Sequence, residues 1–112
     1  MKKIEAVIRP ANLEATVFAL REAGFRCFSV TETRGYCNGK RKIAHAGGEE
    51  FEINFFEKVK IELVLDDSLA EKAIEVITVA GYTGKSGDGM IFVLPVDEAV
   101  QIKSGERGVS AL

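Results

Sequence analysis

The strongest constraint on how this chain folds is a doubled pattern, in which a run that alternates every second residue is followed by a run with helical period. In the first copy Ile4, Ala6 and Ile8 face one way and Lys3, Glu5, Val7 and Arg9 the other, the signature of a half-buried strand. Pro10 and Asn12 interrupt it, Leu13, Val17 and Leu20 recur at helical spacing, and Gly24 follows, so a helix is expected from about Asn12 to Ala23. In the second copy Val59, Ile61, Leu63 and Leu65 alternate with Lys58, Lys60, Glu62 and Val64. Ser68 followed by Glu71 reads as a capping box before a helix with Leu69, Ala73, Val76, Ile77 and Ala80 on its apolar face and Gly81 at its end. Each copy leads to a further β-like run, from Cys27 to Thr33 and from Ile91 to Leu94, with Pro95 suited to a strand end. The order β-α-β-loop-β-α-β is the split βαβ, or ferredoxin-like, pattern of an α+β domain.

A chain of 112 residues has the size of one domain, so residues 1–112 are read as a single unit. At that length little apolar area is spare beyond the core, and a subunit interface would add stability. The formal net charge of -2, with both signs mixed along the chain, creates no field that would gather nucleic acid. Cys27 and Cys37 do not make a disulfide framework, and Met1-Lys2-Lys3 opens no signal peptide, so a cytoplasmic protein with reduced thiols is expected. No apolar stretch approaches the ~18 to 20 residues of a membrane span, so direct membrane insertion is not expected.

Between the two copies the periodicity dissolves. From Tyr36 to about Glu52 the sequence carries Gly39, Lys40-Arg41-Lys42, Gly47-Gly48 and Glu49-Glu50 without a sustained period of either kind. A loop of about 15 residues inside so small a domain is uncommon, and such loops are usually functional or disordered. The basic run reads either as a solvated loop face or as a binding patch. Cys37 and His45 have no evident third group to orient them as a nucleophilic pair, and the only histidine with two distant cysteines does not form a metal-ligand spacing, so neither a catalytic residue nor a metal site is assigned.

The remaining chemistry lies in Thr83-Gly84-Lys85-Ser86-Gly87-Asp88-Gly89. Glycines at this spacing allow successive N–H groups to converge on an anion. It is not a P-loop, since the Gly-x-x-x-x-Gly-Lys-Ser/Thr spacing is absent and a strand rather than a helix follows. Taken alone it is either a phosphate-binding turn or an ordinary hairpin turn.

Several separated stretches together resemble the PII signal-transduction family over essentially the whole chain: Met1 to Pro10, Val59-Lys60-Ile61-Glu62, Thr83 to Val93, and Ser104-Gly105-Glu106-Arg107-Gly108. The resemblance implies a homotrimer with adenine nucleotides in the clefts between subunits. It also implies a long loop after strand two, residues 36–55, that is flexible and docks on a membrane transporter or an enzyme. Carried over by position, adenine would lie against Ser29, Glu62 and Val64, near Val7 and the Gly35-Tyr36-Cys37 backbone. Its phosphates would meet Gly87, Asp88 and Gly89 of the neighbour, and Lys103 stands at a phosphate-binding arginine position.

Departures from the family pattern bear on the ligand. Met90, Gln101 and Asn38 occupy positions where the family has phosphate-directed cations, and Lys103 retains the charge of an arginine without its two-pronged geometry. Gly39 replaces a glutamine that helps hold Mg²⁺ and 2-oxoglutarate, whereas Lys40 and Lys58 remain as contacts for an effector anion. Phe51 replaces a tyrosine that is modified in many relatives. Each lost charge-assisted contact, worth about 1.5 to 3 kcal/mol when well made, weakens a triphosphate most. The expectation is therefore a non-enzymatic PII-like regulator that binds AMP, ADP or ATP with a small anion, bicarbonate being one such co-effector. The alternatives are a nitrogen-regulatory PII sensing ATP and 2-oxoglutarate and, in another class, a slow nucleotide phosphatase.

Overall fold

A computed structural model describes residues 1–36, 42–46, 49–53 and 55–112, the two short stretches 42–46 and 49–53 by their backbone alone. Four strands form one antiparallel sheet: β1 (Lys2–Ile8), β2 (Ser29–Tyr36), β5 (Phe55–Leu65) and β6 (Gly89–Pro95), in the order β2-β5-β1-β6. Helices α1 (Leu13–Glu22) and α2 (Ala70–Gly81) connect them, and β3 (Lys42–Ala46) pairs with β4 (Glu49–Ile53) in a separate hairpin. The result is the ferredoxin-like α+β fold that the doubled pattern implies.

The two alternating runs become the central strands because both bury one full face. Register places Ile4 opposite Leu63, Ala6 opposite Ile61 and Ile8 opposite Val59, so the inward sets of β1 and β5 meet under the helices. Leu20 of α1 and Ala73 and Ile77 of α2 complete this core, each with 1% exposure or less. A fully buried Leu or Ile side chain contributes about 1.5 to 3 kcal/mol, so these positions carry much of the stability. Among the described residues, no α-helix packs on the opposite face of the sheet, with Lys3, Glu5, Val7, Lys58, Lys60 and Glu62, and this face positions the site.

Several expectations need correction. Strand two runs from Ser29 to Tyr36 rather than from Cys27 to Thr33, because Phe55 and Phe56 extend β5 and supply partners for Tyr36 and Gly35. Within the stretch expected to lack structure, β3 and β4 form a ladder from Lys42↔Ile53 to Ala46↔Glu49. The sequence signal that was missed is the alternation of Phe51 and Ile53 with Glu50 and Glu52. The remainder of that stretch lies outside the described residues.

The capping box is also absent. A 3-10 turn at Asp67–Leu69 precedes α2, the N-cap position falls on Leu69, and the Ser68 hydroxyl donates to Asp66 Oδ2 at 2.9 Å instead. Asp67 pairs with the N-terminal ammonium of Met1 at 3.0 Å, which lowers the Asp67 pKa. The buried face of α2 consists of Ala70, Ala73, Ile77 and Gly81, which leaves Leu69 exposed. At the other helix, Pro10–Asn12 form a 3-10 turn before Leu13. Asn12 donates through Nδ2 to the Gly81 carbonyl at 3.3 Å, tying the start of α1 to the end of α2.

Candidate functional site

The turn between α2 and β6 is built around one carboxylate. Asp88 accepts the Thr83 hydroxyl and the amides of Thr83 at 2.8 Å and Gly84 at 2.9 Å, while Arg9 donates from Nε at 3.1 Å. The Thr83 bonds are the main reason that the Asp88 carboxyl lies well below the usual carboxylate range, with smaller contributions from Arg9 and the Gly84 amide. Two cations tie the turn to the sheet: Arg9 Nη2 donates to the Ser86 carbonyl at 2.6 Å and Lys58 Nζ to the Gly87 carbonyl at 2.5 Å. Gly89 passes so close to β1 that a Cβ there would stand 1.9 Å from the Val7 carbonyl oxygen, with φ at +120°. Only glycine allows this approach.

Between the turn and the open sheet face lies a cleft of about 550 Å³. Its apolar wall comes from Val7, Phe56, Met90 and Phe92, and its polar rim from Arg9, Lys58, Lys85 and the turn backbone. Tyr36 sits at the mouth with its ring 6.0 Å from that of Phe55. An apolar wall beside cations and outward amides suits a ligand with a flat apolar part and an anionic part.

Of the residues singled out from sequence, Val7, Gly35, Tyr36, Lys58, Gly87, Asp88, Gly89 and Met90 line this cleft together. Ser29, Glu62 and Val64 do not; Ser29 and Glu62 are paired across β2 and β5, and Val64 lies opposite Lys3. Val7 and Gly35-Tyr36 thus group with the glycine turn of their own chain, whereas the expected grouping set them beside Ser29 and Glu62. Glu62 accepts Lys3 at 3.1 Å and Lys60 at 3.2 Å, and these contacts, Lys3 first, lower its pKa. Lys103 and Gln101 occupy the C-terminal turn, closed by bonds from Gln101 N to the Glu106 carbonyl and from Gly105 N to the Gln101 carbonyl, and neither lines the cleft. Cys37, Asn38, Gly39 and Lys40 lie outside the described residues.

Arg9, Phe56 and Phe92 carry no assignment from sequence, yet all line the cleft. Alternation did place Arg9 on the open face with Val7. Phe56 escaped because strand five was expected to begin at Lys58. Among the described residues, no group of three His, Cys, Asp or Glu side chains could hold a metal ion, and no helix is long and apolar enough to cross a membrane.

Comparison with known proteins agrees with this architecture. The family described as Nitrogen regulatory protein P-II matches residues 1–106. Proteins of that name from Azospirillum brasilense and Rhodospirillum rubrum are 47% and 46% identical, each over 112 residues and the full length of both chains. The protein of that name from Nostoc punctiforme is 38% identical over the same full length. Among solved structures, Arabidopsis thaliana PII bound to citrate superimposes with a TM-score of 0.81 at 34% identity, covering 99% of this chain and 91% of the other.

Proposed function

The chain belongs to the nitrogen regulatory protein P-II family, and from that premise we propose that it is a signalling regulator that binds an adenine nucleotide at the cleft and reports it to a partner protein through residues 36–55. The observation that carries this reading is the cleft itself, where the Lys85–Gly89 turn and the cations Arg9 and Lys58 stand beside an apolar wall of Val7, Phe56 and Met90. Phosphates bind at the turn and the nucleoside extends along the sheet.

Ser29, Glu62 and Val64 do not share the cleft, so in this reading a second copy supplies them and closes the site over the adenine. A homotrimer with one nucleotide at each interface satisfies that requirement. Lys103 of the adjoining copy then adds a cation toward the phosphates, and regulation rather than turnover is the output.

Full-length identity to relatives named nitrogen regulatory proteins favours the nitrogen-regulatory form, sensing ATP with 2-oxoglutarate. Lys58 and Lys40 serve the carboxylates of that effector. The second reading, AMP or ADP with bicarbonate as the small anion, draws on Met90: a neutral thioether lines the cleft at a position where the family has a cation. Titration calorimetry with AMP, ADP and ATP, each with and without 2-oxoglutarate or bicarbonate, separates them. Enhancement of ATP binding by 2-oxoglutarate supports the nitrogen-regulatory form, enhancement of AMP or ADP binding by bicarbonate supports the second, and no binding of any nucleotide refutes both.

A further inference from the structure

Among the described residues, Asp88 is the one acidic side chain in a cleft suited to an anion, where a free carboxylate would repel the ligand. Its oxygens instead turn into the loop and are taken up by the Thr83 hydroxyl, the Thr83 and Gly84 amides and Arg9 Nε. Arg9 and Lys58 draw the carbonyls of Ser86 and Gly87 toward themselves. The peptide bonds of this turn are trans, so the N–H groups that follow, on Gly87 and Asp88, point to the opposite side. The amides of Ser86 and Gly87 have no partner among the described residues. A buttressed turn with unused donors is an anion cradle formed before its ligand arrives.

We infer that Asp88 is the positioning residue of the cleft: its carboxylate latches the Thr83–Gly89 turn into its binding shape and does not itself touch the ligand. The inference rests on the nucleotide reading for the ligand's identity, whereas the latch is a property of the unliganded protein. The depressed Asp88 pKa agrees with a carboxylate saturated by donors.

The test pairs amide hydrogen exchange on the unliganded protein with ADP calorimetry, for Asp88→Ala and Asp88→Asn. Asp88→Ala should speed exchange at Thr83 and Gly84 at least tenfold, leave exchange in β1 and β5 unchanged, and weaken ADP at least tenfold. Asp88→Asn keeps a neutral acceptor for the two amides and should recover most of both losses, a rescue that general destabilisation would not produce. Weakened ADP binding with unaltered exchange would mean that the carboxylate contacts the ligand itself, and faster exchange with unaltered affinity would mean that binding does not use the preformed turn; either overturns the inference. If ADP does not bind, ATP or AMP takes its place as the probe; if wild-type protein binds none of the three, the nucleotide reading fails on its own, and the latch is judged by exchange, where no acceleration refutes it. Should Asp88→Ala not fold, Thr83→Val removes a single donor and must shift exchange and affinity in the same direction, or the inference falls.

Discussion

Replacing Gly89 with alanine tests the closest approach in the fold. The new Cβ would stand 1.9 Å from the Val7 carbonyl oxygen, 3.0 Å from the Val7 carbonyl carbon and 3.2 Å from Ile8 Cα, all backbone atoms. Non-bonded heavy atoms rest about 3.5 to 4 Å apart, so β1 or the head of β6 must retreat by more than an ångström. β1 is held on both sides, by β5 and by β6, so the retreat breaks ladder pairing near Ile8↔Gly89. Forcing alanine to a φ of +120° costs about 1 to 3 kcal/mol, and a lost ladder bond adds about 0.5 to 1.5 kcal/mol. The expected destabilisation is about 2 to 4 kcal/mol, or roughly 10 °C or more in Tm for a domain of this size. Gly105→Ala is the control: φ is +74° but no atom lies within 4 Å of the added Cβ, so only the left-handed backbone strain of about 1 to 2 kcal/mol applies. Urea and thermal unfolding at one fixed protein concentration compare them, since assembly makes Tm depend on concentration. If Gly89→Ala costs no more than Gly105→Ala, the strand-to-turn contact is not the constraint described.

Leu20→Ala and Ile61→Ala, at fully buried positions, should each cost about 2 to 5 kcal/mol in urea unfolding; a loss near zero would mean that the sheet and helices do not share one core. Because the Asp88 carboxyl lies below its ordinary range when folded, its contribution to stability is present above the unfolded aspartate value of about 3.9 and disappears as pH falls toward the folded value. The stability gap between wild type and Asp88→Asn should therefore narrow below about pH 4, and a gap that stays constant down to strong acid would contradict the assigned hydrogen bonds. Met90→Lys with Gln101→Arg should raise the ATP to ADP affinity ratio more than tenfold in calorimetry, at ~1 kcal/mol for each restored contact, and no shift would make both substitutions neutral to phosphate number. Light scattering at micromolar concentration should return the mass of three chains, and a monomer would remove the shared site.

The strands of the main sheet and both α-helices were legible in the sequence because each is a periodic local property: Ile4-Ala6-Ile8 and Val59-Ile61-Leu63-Leu65 commit their strands to one buried face whatever the neighbours are. The doubled order then limited the topology to a ferredoxin-like sheet. Family-like spacing pointed to Gly87, Asp88 and Gly89, although the pattern alone did not separate an anion cradle from a hairpin turn. Tertiary structure decided what depends on distant partners. The extents of β2 and β5 follow from pairing each other, and the β3–β4 ladder follows from backbone bonds between two five-residue strands too short to sustain a clear period across the stretch. Arg9 and Asp88 are 79 positions apart, and only closure of β6 against β1 brings the guanidinium to the carboxylate. The same closure separates Ser29 and Glu62 from the glycine turn, because the sheet register places them along β2 and β5 beyond the reach of that cleft.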